Sequence, residues 1–479
     1  MDFTEIYKQS SGLVSFSQGG HFILTAAHDR LIVRRADTFQ ISRSWQVDAT
    51  PSGTQTATAS TSTRRAATTS SSSAISHIGW SSDSEYVLAA CAKSGVTHVF
   101  CMRDEEWHAR IEAGAEGLVK AEWAPDGRHV VCFSEWALRV TVWSLLTGAP
   151  IYIQYPLHPD RGYTFRRDGR YFLLAERHKS KDTLGVYDTA DSYKLVRHYP
   201  LPTSSMSSMS ISPTGAHLAV WESPLEYKLH ILSLTGELLG TFSPIPDPGF
   251  GVRSVAWHPT GMFLAVAGWD DKIHILENLT WSRVMTLDVS PRTPATVNVW
   301  REPTNWLEAT EGRGFLSYEK LHGAQTIPSS RADPSKPNPK TGVVHLEFNK
   351  VGTALLARFE HMPTAIHIFS FPAPGDLEPF APVLRSVLLH SQPVLQARWN
   401  PLRAGSLAAT CGGGAIYTWS DEWVGEAGET EEMAECVGVP AKKFEARDVR
   451  WAPDGKGLVL VDRDTFCCAF EVEDVEDEQ

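Results

Sequence analysis

A short phrase of residues recurs nine times along this 479-residue chain and constrains its fold more than any other feature. In the clearest copies a large apolar residue is followed by Ala-Pro-Asp-Gly and then by an apolar run. The nine central positions are Phe16, Trp80, Trp123, Phe165, Ile211, Trp257, Phe348, Trp399 and Trp451. From Trp80 to Trp257 these positions are 42 to 46 residues apart, which is the period of a four-stranded propeller blade.

Each part of the phrase has a physical reason. Pro-Asp-Gly favours a tight turn, since Pro fixes one φ and Gly accepts a positive one. The nearly continuous apolar run after the turn is typical of a strand buried on both faces. A third strand then ends on a large residue, as in Trp143-Ser144, Tyr187-Asp188 and Trp419-Ser420, where a WD repeat has its Trp-Asp dipeptide. The sequence therefore predicts an all-β, WD-repeat β-propeller with degenerate repeats.

Nine motifs predict a single large ring of about seven to nine blades over residues 1–472. Propellers usually avoid an open sheet edge by letting one terminus complete the blade that the other begins. Phe3 to Tyr7 is therefore expected to form the outer strand of the last blade. The gap of 91 residues between Trp257 and Phe348 leaves open a further irregular blade, with strands at Asn298 to Arg301 and Phe315 to Leu321.

Four segments depart from the repeat. Residues 49–74 are rich in Ser and Thr, contain few large apolar side chains, and are expected to form a disordered insertion. Residues 323–342 are expected to form a Pro-rich linker and residues 422–435 an acidic loop. Residues 473–479 form an acidic tail.

Charge and composition exclude several classes of ligand. The formal net charge of −12 disfavours nucleic acid, membrane surfaces and direct contact with acidic filaments. The seven cysteines include no C-x-x-C pair, and the first ten residues do not form a secretory signal. We expect reduced thiols in a protein that is not secreted.

The residues also offer no enzyme motif. The sequence contains no G-x-S-x-G, no phosphate loop ending in Gly-Lys-Ser/Thr and no H-E-x-x-H. The pair Asp270-Asp271 precedes a strand, where a turn is the better interpretation. We therefore expect a non-catalytic protein without metal or cofactor.

Longer strings resemble one family specifically. Glu106-Trp107-His108, the string Trp123 to His129, the string Leu138 to Ser144 and Leu225-Glu226-Tyr227-Lys228 resemble the WD-repeat protein eight family. That family is found at centrosomes and spindle pole bodies, and this chain is similar to a fungal member. The resemblance runs from Met1 to about Phe470, but the insertion 49–74 and residues 304–330 depart from it.

The resemblance implies a scaffold at the spindle pole. Family members act with a coiled-coil microtubule-anchoring protein to recruit a minus-end-directed kinesin-14 and to anchor microtubule minus ends. Contact with microtubules is then expected to be indirect. No family motif defines a binding site, but Glu106, Trp107, His108, Glu226 and Tyr227 are predicted to lie in connections between strands, where propellers bind partners. Packing of Trp107 on its own blade is the alternative.

Two other functions remain open from the sequence. A propeller adaptor in translation initiation is expected to have a basic face, which the net charge disfavours. A substrate receptor of a ubiquitin ligase requires an adaptor-binding helix pair, which the sequence does not suggest.

Overall fold

The computed structural model describes residues 1–48, 74–330, 340–372, 381–424, 430–441 and 443–471. In these ranges the regular structure is 42 β-strands, one four-residue α-helix and three short 3-10 helices. Successive strands pair into antiparallel sheets, the blades, and every motif position lies in the first strand of its own blade. The blades are numbered 1 to 9 in the order of the motifs. The predicted WD-repeat β-propeller class is confirmed, with nine blades.

The chain divides into two compact units. The amino-terminal unit comprises Tyr7–Leu201 with Arg463–Phe466, and it contains blades 1 to 4. The carboxy-terminal unit comprises Met1–Ile6, Pro202–Asp462 and Cys467–Gln479, and it contains blades 5 to 9.

The amino-terminal unit contains a two-residue strand followed by four strands for each of its blades, in chain order. These strands are β2 (Tyr7–Lys8); β3 (Val14–Phe16), β4 (Phe22–Ala27), β5 (Arg30–Arg35) and β6 (Ile41–Gln46) in blade 1; β7 (His77–Trp80), β8 (Tyr86–Cys91), β9 (Val96–Cys101) and β10 (His108–Glu112) in blade 2; β11 (Lys120–Trp123), β12 (His129–Phe133), β13 (Arg139–Ser144) and β14 (Pro150–Gln154) in blade 3; and β15 (Tyr163–Phe165), β16 (Tyr171–His178), β17 (Lys181–Asp188) and β18 (Lys194–Pro200) in blade 4. Its 3-10 helices are Ala92–Ser94, Gly114–Glu116 and Glu135–Ala137.

The carboxy-terminal unit has the same blade pattern with extra strands between blades 6 and 7. Its strands are β1 (Asp2–Phe3); β19 (Met206–Ile211), β20 (His217–Glu222), β21 (Leu229–Ser233) and β22 (Leu238–Phe242) in blade 5; β23 (Val252–Trp257), β24 (Phe263–Gly268), β25 (Lys272–Glu277) and β26 (Arg283–Asp288) in blade 6; the extra strands β27 (Arg292–Thr293), β28 (Asn298–Arg301), β29 (Phe315–Ser317), β30 (Glu319–Leu321) and β31 (Gln325–Thr326); β32 (Val343–Phe348), β33 (Ala354–Phe359), β34 (Ala365–Ser370) and β35 (Val383–Leu389) in blade 7; β36 (Gln396–Trp399), β37 (Ser406–Thr410), β38 (Ala415–Val424) and β39 (Thr430–Gly438) in blade 8; and β40 (Asp448–Trp451) and β41 (Gly457–Val461) in blade 9. Strand β42 (Thr465–Phe470), the third of blade 9, begins in the amino-terminal unit and ends in the carboxy-terminal unit. Helix α1 (Trp306–Ala309) lies between β28 and β29.

The second strand of each blade follows the Pro-Asp-Gly-type turn, and it forms the core. Every residue of β24 and of β41 is buried. Such strands are apolar on both faces, because neighbouring strands and side chains cover both. The predicted apolar run after the turn is confirmed as the centre of the blade.

The tryptophans at the motif positions join neighbouring blades in a way that the repeat alone does not reveal. In five cases the indole Nε1 donates to the carbonyl oxygen of the residue just before the equivalent position in the preceding blade. The pairs are Trp80 to Ser15 at 3.2 Å, Trp123 to Gly79 at 3.1 Å, Trp257 to Ser210 at 3.4 Å, Trp399 to Glu347 at 3.0 Å and Trp451 to Arg398 at 3.1 Å. The motif residue therefore supplies both packing and a repeated hydrogen bond between blades.

The turn glycine is required for two reasons. Gly455 has φ of +67°, and an added Cβ would lie 2.5 Å from Asn400 Oδ1 of the preceding blade. Asn400 Nδ2 donates to the Gly455 carbonyl at 2.8 Å. Gly at this position therefore permits both the left-handed turn and the close approach of two blades.

The described residues between β26 and β32 do not form the additional blade that the 91-residue gap left open. Strands are present as predicted, but β28 pairs in parallel with β35, the outer strand of blade 7, and β30 pairs with β28. Strand β29 pairs with β39, the outer strand of blade 8. Strands of three or four residues are too short to bury a core of their own, and here they extend two existing sheets.

The acidic segment is mostly strand rather than loop. Within 422–435, β38 continues to Val424 and β39 begins at Thr430, so the hairpin is longer than the sequence suggested. Trp423 and Val424 at the end of β38 are both exposed. Of the predicted Pro-rich linker 323–342, β31 occupies part of the described portion, and residues 331–339 lie outside the described residues. The predicted insertion 49–74, apart from Ala74, and the acidic tail 473–479 also lie outside them.

The amino terminus completes blade 9, as predicted from Phe3 to Tyr7. Phe3 in β1 pairs with Ala469, and Tyr7 in β2 pairs with Phe466, both antiparallel. Between the two short strands the Thr4 N–H donates to the Cys468 carbonyl at 2.9 Å. The last blade therefore obtains its outer strand from the first residues of the chain.

Candidate protein-binding surface

Connections between strands are the natural place for binding, because blades hold them rigidly at two ends of the sheet. In an antiparallel blade, the connection between the second and third strands lies at the same end as the connection to the next blade. The connection between the third and fourth strands lies at the opposite end. This geometry locates each predicted site residue.

Glu106, Trp107 and His108 lie between the third and fourth strands of blade 2 and at the start of β10. Glu106 and His108 are exposed. Trp107 is half-buried and packs on Tyr86, with ring centroids 5.2 Å apart. Glu106 and His108 are therefore available to a partner, whereas much of Trp107 packs on its own blade.

Glu226 and Tyr227 lie between the second and third strands of blade 5. Tyr227 is only 1% exposed and packs edge-on against Phe242 and His274. Burial raises the pKa of its hydroxyl above the ordinary range. Glu226 is half-buried and pairs with Lys228 at 2.7 Å. Tyr227 is thus a core residue, and its prediction as a direct partner contact is wrong because this connection folds inward.

Trp136 is the aromatic residue that the sequence reasoning missed. It lies in the 3-10 turn between β12 and β13 of blade 3, and it is 86% exposed. Leu138 and Tyr155 beside it are also exposed. The Tyr155 N–H donates to the Leu138 carbonyl at 3.3 Å, and the Tyr155 ring lies edge-on to His178 at 5.5 Å.

These neighbours define the Trp136 surface. It consists of Trp136, Leu138, Tyr155, His178, Lys179 and Lys181. All six side chains are exposed and belong to blades 3 and 4 at one end of their sheets. Large apolar side chains that protrude in this way usually mark an interaction site.

The backbone of this surface is strained. Trp136, Ala137 and Tyr155 have φ of 59°, 52° and 59°. Lys179 and Ser180 have φ of 47° and 64°, and together they form the two-residue turn of the β16–β17 hairpin. Side chains other than Gly adopt this region at a cost of about 1–2 kcal/mol each. Such strain often accompanies a functional site. The sequence offers one signal, Trp136 itself, which follows Ser134 and Glu135 in the connection between two predicted strands.

The blade ends around Trp136 are tightly held. Ser134 Oγ accepts from the Arg139 N–H at 2.8 Å, and the Ser134 N–H donates to the Arg139 carbonyl at 3.2 Å. These bonds close the turn at its base. Trp136 is therefore presented by a fixed turn rather than by a long loop.

The principal buried titratable cluster is structural. Glu302, after β28, accepts from Trp306 Nε1 and the Tyr417 hydroxyl at 2.8 Å each, and from the Ser391 N–H at 2.6 Å. Burial alone would raise the pKa of Glu302, but these hydrogen bonds outweigh it and lower the pKa. The carboxylate ties the extra strands to blades 7 and 8, and both of its oxygens accept hydrogen bonds.

Three of the buried thiols are poor nucleophiles. Burial raises the pKa of Cys132 to about 12 and that of Cys411 and Cys436 still further. A thiol with such a pKa remains protonated near neutrality.

Over the described ranges no group of three or more His, Cys, Asp or Glu residues could hold a metal ion. No helix in the described part of the chain is long and apolar enough to cross a membrane.

Comparisons with known proteins agree with the repeat architecture. The family model described as WD domain, G-beta repeat matches residues 236–276, from blade 5 into the third strand of blade 6. The mouse WD repeat-containing protein WRAP73 is 31% identical over 495 aligned residues, which cover 98% of this chain and 96% of the mouse protein.

A more distant relative and a solved structure also match. An uncharacterised WD repeat-containing protein of Schizosaccharomyces pombe is 22% identical and covers 78% of this chain and 75% of its own length. The β-propeller domain of Cps50 (Swd1) from Myceliophteria thermophila has a TM-score of 0.39 and 13% identity, over 78% of this chain and 100% of that domain.

Proposed function

Because the chain belongs to the family of WD repeat-containing proteins that includes mouse WRAP73, we propose that it is a non-catalytic adaptor at the spindle pole. The pole is a centrosome or, in a fungal member of the WD-repeat protein eight family, a spindle pole body. The single observation that carries an adaptor function is the Trp136 surface. Large side chains there are held out of rigid blades without serving the core.

The proposed partners follow from the family resemblance of the strings around Trp107, Trp123 and Tyr227. They are a coiled-coil microtubule-anchoring protein and a kinesin-14 motor, which together tether microtubule minus ends. The formal net charge of −12 supports an indirect link to microtubules, since tubulin tails are themselves acidic. Glu106 and His108 are exposed at the end of the sheets opposite to the Trp136 surface. We propose that they form a second contact with a protein partner.

The test is imaging and affinity purification of one tagged chain in mitotic cells. We expect signal at the poles and recovery of a coiled-coil protein together with a kinesin-14. Trp136→Ala should lower recovery of these partners. Trp423→Ala is its matched control, because Trp423 is also an exposed tryptophan on a hairpin, and this variant should behave like the wild type. Recovery of ribosomal or ubiquitin ligase subunits without polar signal would contradict the proposal and favour the corresponding alternative.

A further inference from the structure

We propose that the Trp136 surface binds an acidic segment of a partner protein that also carries large apolar side chains. This inference rests on the proposed adaptor function and specifies the chemistry of one partner contact. It follows from three observations on the amino-terminal unit: an exposed apolar cluster, unbalanced positive charge beside it, and a backbone held in place before binding.

The apolar cluster supplies the binding energy. Trp136, Leu138 and Tyr155 expose 86%, 48% and 56% of their surface. Trp and Tyr dominate the energetic centres of protein interfaces, since they bury a large area with few rotatable bonds. A partner must offer apolar side chains of its own to cover this cluster and exclude water.

The charge next to the cluster selects the partner. The end of the β16–β17 hairpin carries Arg177, Lys179 and Lys181, against the single carboxylate of Asp182. Asp182 is buried and already paired with Arg177 at 2.7 Å. Neither Lys179 nor Lys181 has an ion-pair partner within the described residues. In a chain with a net charge of −12, this local excess of cations favours an acidic segment.

The distribution of charge also sets the orientation of the segment. Glu135, exposed beside Trp136, lies on the blade 3 side, whereas Lys179 and Lys181 lie on the blade 4 side. The adjoining connection has one residue of each sign, Asp160 and Arg161. An acidic segment would therefore place its carboxylates over blade 4 and its apolar side chains over Trp136.

The same charges disfavour a polyanion. Glu135 and Asp160 would repel a continuous phosphate backbone, and three cations are few for nucleic acid. An anionic membrane requires a broader basic face. A peptide with separated carboxylates matches the spacing of charges better.

The backbone is preorganised for this contact. The left-handed φ values of Trp136, Ala137, Tyr155, Lys179 and Ser180 set the direction in which these side chains leave the backbone before a partner binds. Preorganisation lowers the entropy lost on binding.

The experiment measures binding of a fluorescent peptide to the purified full chain by anisotropy. The probe is a short synthetic peptide with glutamate on one helical face and leucine and phenylalanine on the other. We expect saturable binding that weakens with salt and that falls by about tenfold or more in Trp136→Ala. The double change Lys179→Glu with Lys181→Glu should also abolish most binding. Trp423→Ala and Lys93→Glu are matched controls at exposed positions and should bind like the wild type.

Other probes distinguish the competing outcomes. A peptide with lysine in place of glutamate should not bind. Equal binding by wild type and Trp136→Ala, or preferential binding of duplex DNA or phosphatidylserine vesicles, would overturn the inference. So would a dimer in sedimentation that Trp136→Ala dissociates, because a second copy would then occupy the surface.

Failure of this inference and failure of the proposed function give different results. If the tagged chain reaches the poles but the acidic peptide does not bind, the partner chemistry is wrong and the adaptor function stands. If the chain is absent from the poles and recovers neither expected partner, the proposed function itself is wrong.

Discussion

Tyr227 and Trp136 occupy the same kind of position and have opposite roles. Both are aromatic residues in the connection between the second and third strands of a blade, Tyr227 in blade 5 and Trp136 in blade 3. Tyr227 is 1% exposed and packs into the core, whereas Trp136 is 86% exposed. Position in a connection therefore does not decide whether a side chain binds a partner. The path of the connecting backbone decides it.

The difference has a local cause. The blade 5 connection folds back on itself, since the Glu226 N–H donates to the Ser223 carbonyl at 3.0 Å, and Tyr227 lies against Gly268. The absence of a Cβ at Gly268 makes room for the ring. In blade 3 the left-handed φ of Trp136 turns the side chain away from the sheet.

The largest expected effect is on stability at Tyr227. Tyr227→Ala should lower the free energy of unfolding by about 3–5 kcal/mol, because it leaves a cavity among Phe242, His274 and their neighbours. Tyr227→Phe should be nearly neutral, since the buried hydroxyl has no hydrogen-bond partner among the described residues. Urea unfolding measures both. A stable Tyr227→Ala would show that this connection is not core after all.

A buried histidine makes the stability of the carboxy-terminal unit depend on pH. Burial, with a smaller effect of His361, lowers the pKa of His367 from 6.5 to about 3. Between those values the unfolded chain binds a proton at His367 and the folded chain does not. The contribution of His367 to stability is therefore complete above pH 6.5 and is lost as the pH drops. His367→Leu should flatten this decline in unfolding measured across that range. His322→Leu, at an exposed position, is the control; an unchanged slope in His367→Leu would contradict the assignment.

The repeated indole bond predicts a smaller effect. Trp123→Phe keeps most of the ring but removes the hydrogen bond to the Gly79 carbonyl, so stability should fall by about 1 kcal/mol. Trp423→Phe, at an exposed hairpin position, should leave the unfolding midpoint unchanged. Equal effects of the two substitutions would show that the bond between blades contributes nothing measurable.

The smallest effect on stability is expected at Trp136. Trp136→Ala should change the free energy of unfolding by less than about 0.5 kcal/mol, because the side chain contributes little to the core. Trp136→Gly should stabilise by up to about 1 kcal/mol, since Gly adopts φ of 59° without strain. A large loss of stability in Trp136→Ala would remove the contrast with Tyr227.

The sequence predicted much of the fold for a clear reason. The period of the motif positions from Trp80 to Trp257 reflects one supersecondary unit, and Pro-Asp-Gly identifies its turn by local geometry alone. The closure of blade 9 by Phe3 also followed, because an unpaired edge must be covered. The bond from Trp123 to the Gly79 carbonyl was not visible, since it depends on how two blades lie against each other.

The site was less accessible to sequence reasoning. Glu106 and His108 are exposed as connections usually are, but the same rule failed at Tyr227 because it ignores how a short turn folds. The sequence shows that Trp136 is a large apolar residue in a connection, but its exposure could not be recognised, since a positive φ in a residue other than Gly leaves no mark in the sequence. The strands at Asn298 to Arg301 and Phe315 to Leu321 were recognised, but the further irregular blade that they left open does not form. Their pairing with β35 and β39 joins segments far apart along the chain, which the sequence does not reveal.

The central claim is that Trp136 is retained for a partner rather than for the fold. The most direct measurement compares recovery of the coiled-coil partner and the kinesin-14 by wild-type and Trp136→Ala chains, with unfolding of both proteins measured in parallel. We predict that recovery falls by about tenfold or more while the unfolding curves coincide. Undiminished recovery by Trp136→Ala, or loss of recovery that accompanies unfolding, would contradict the claim.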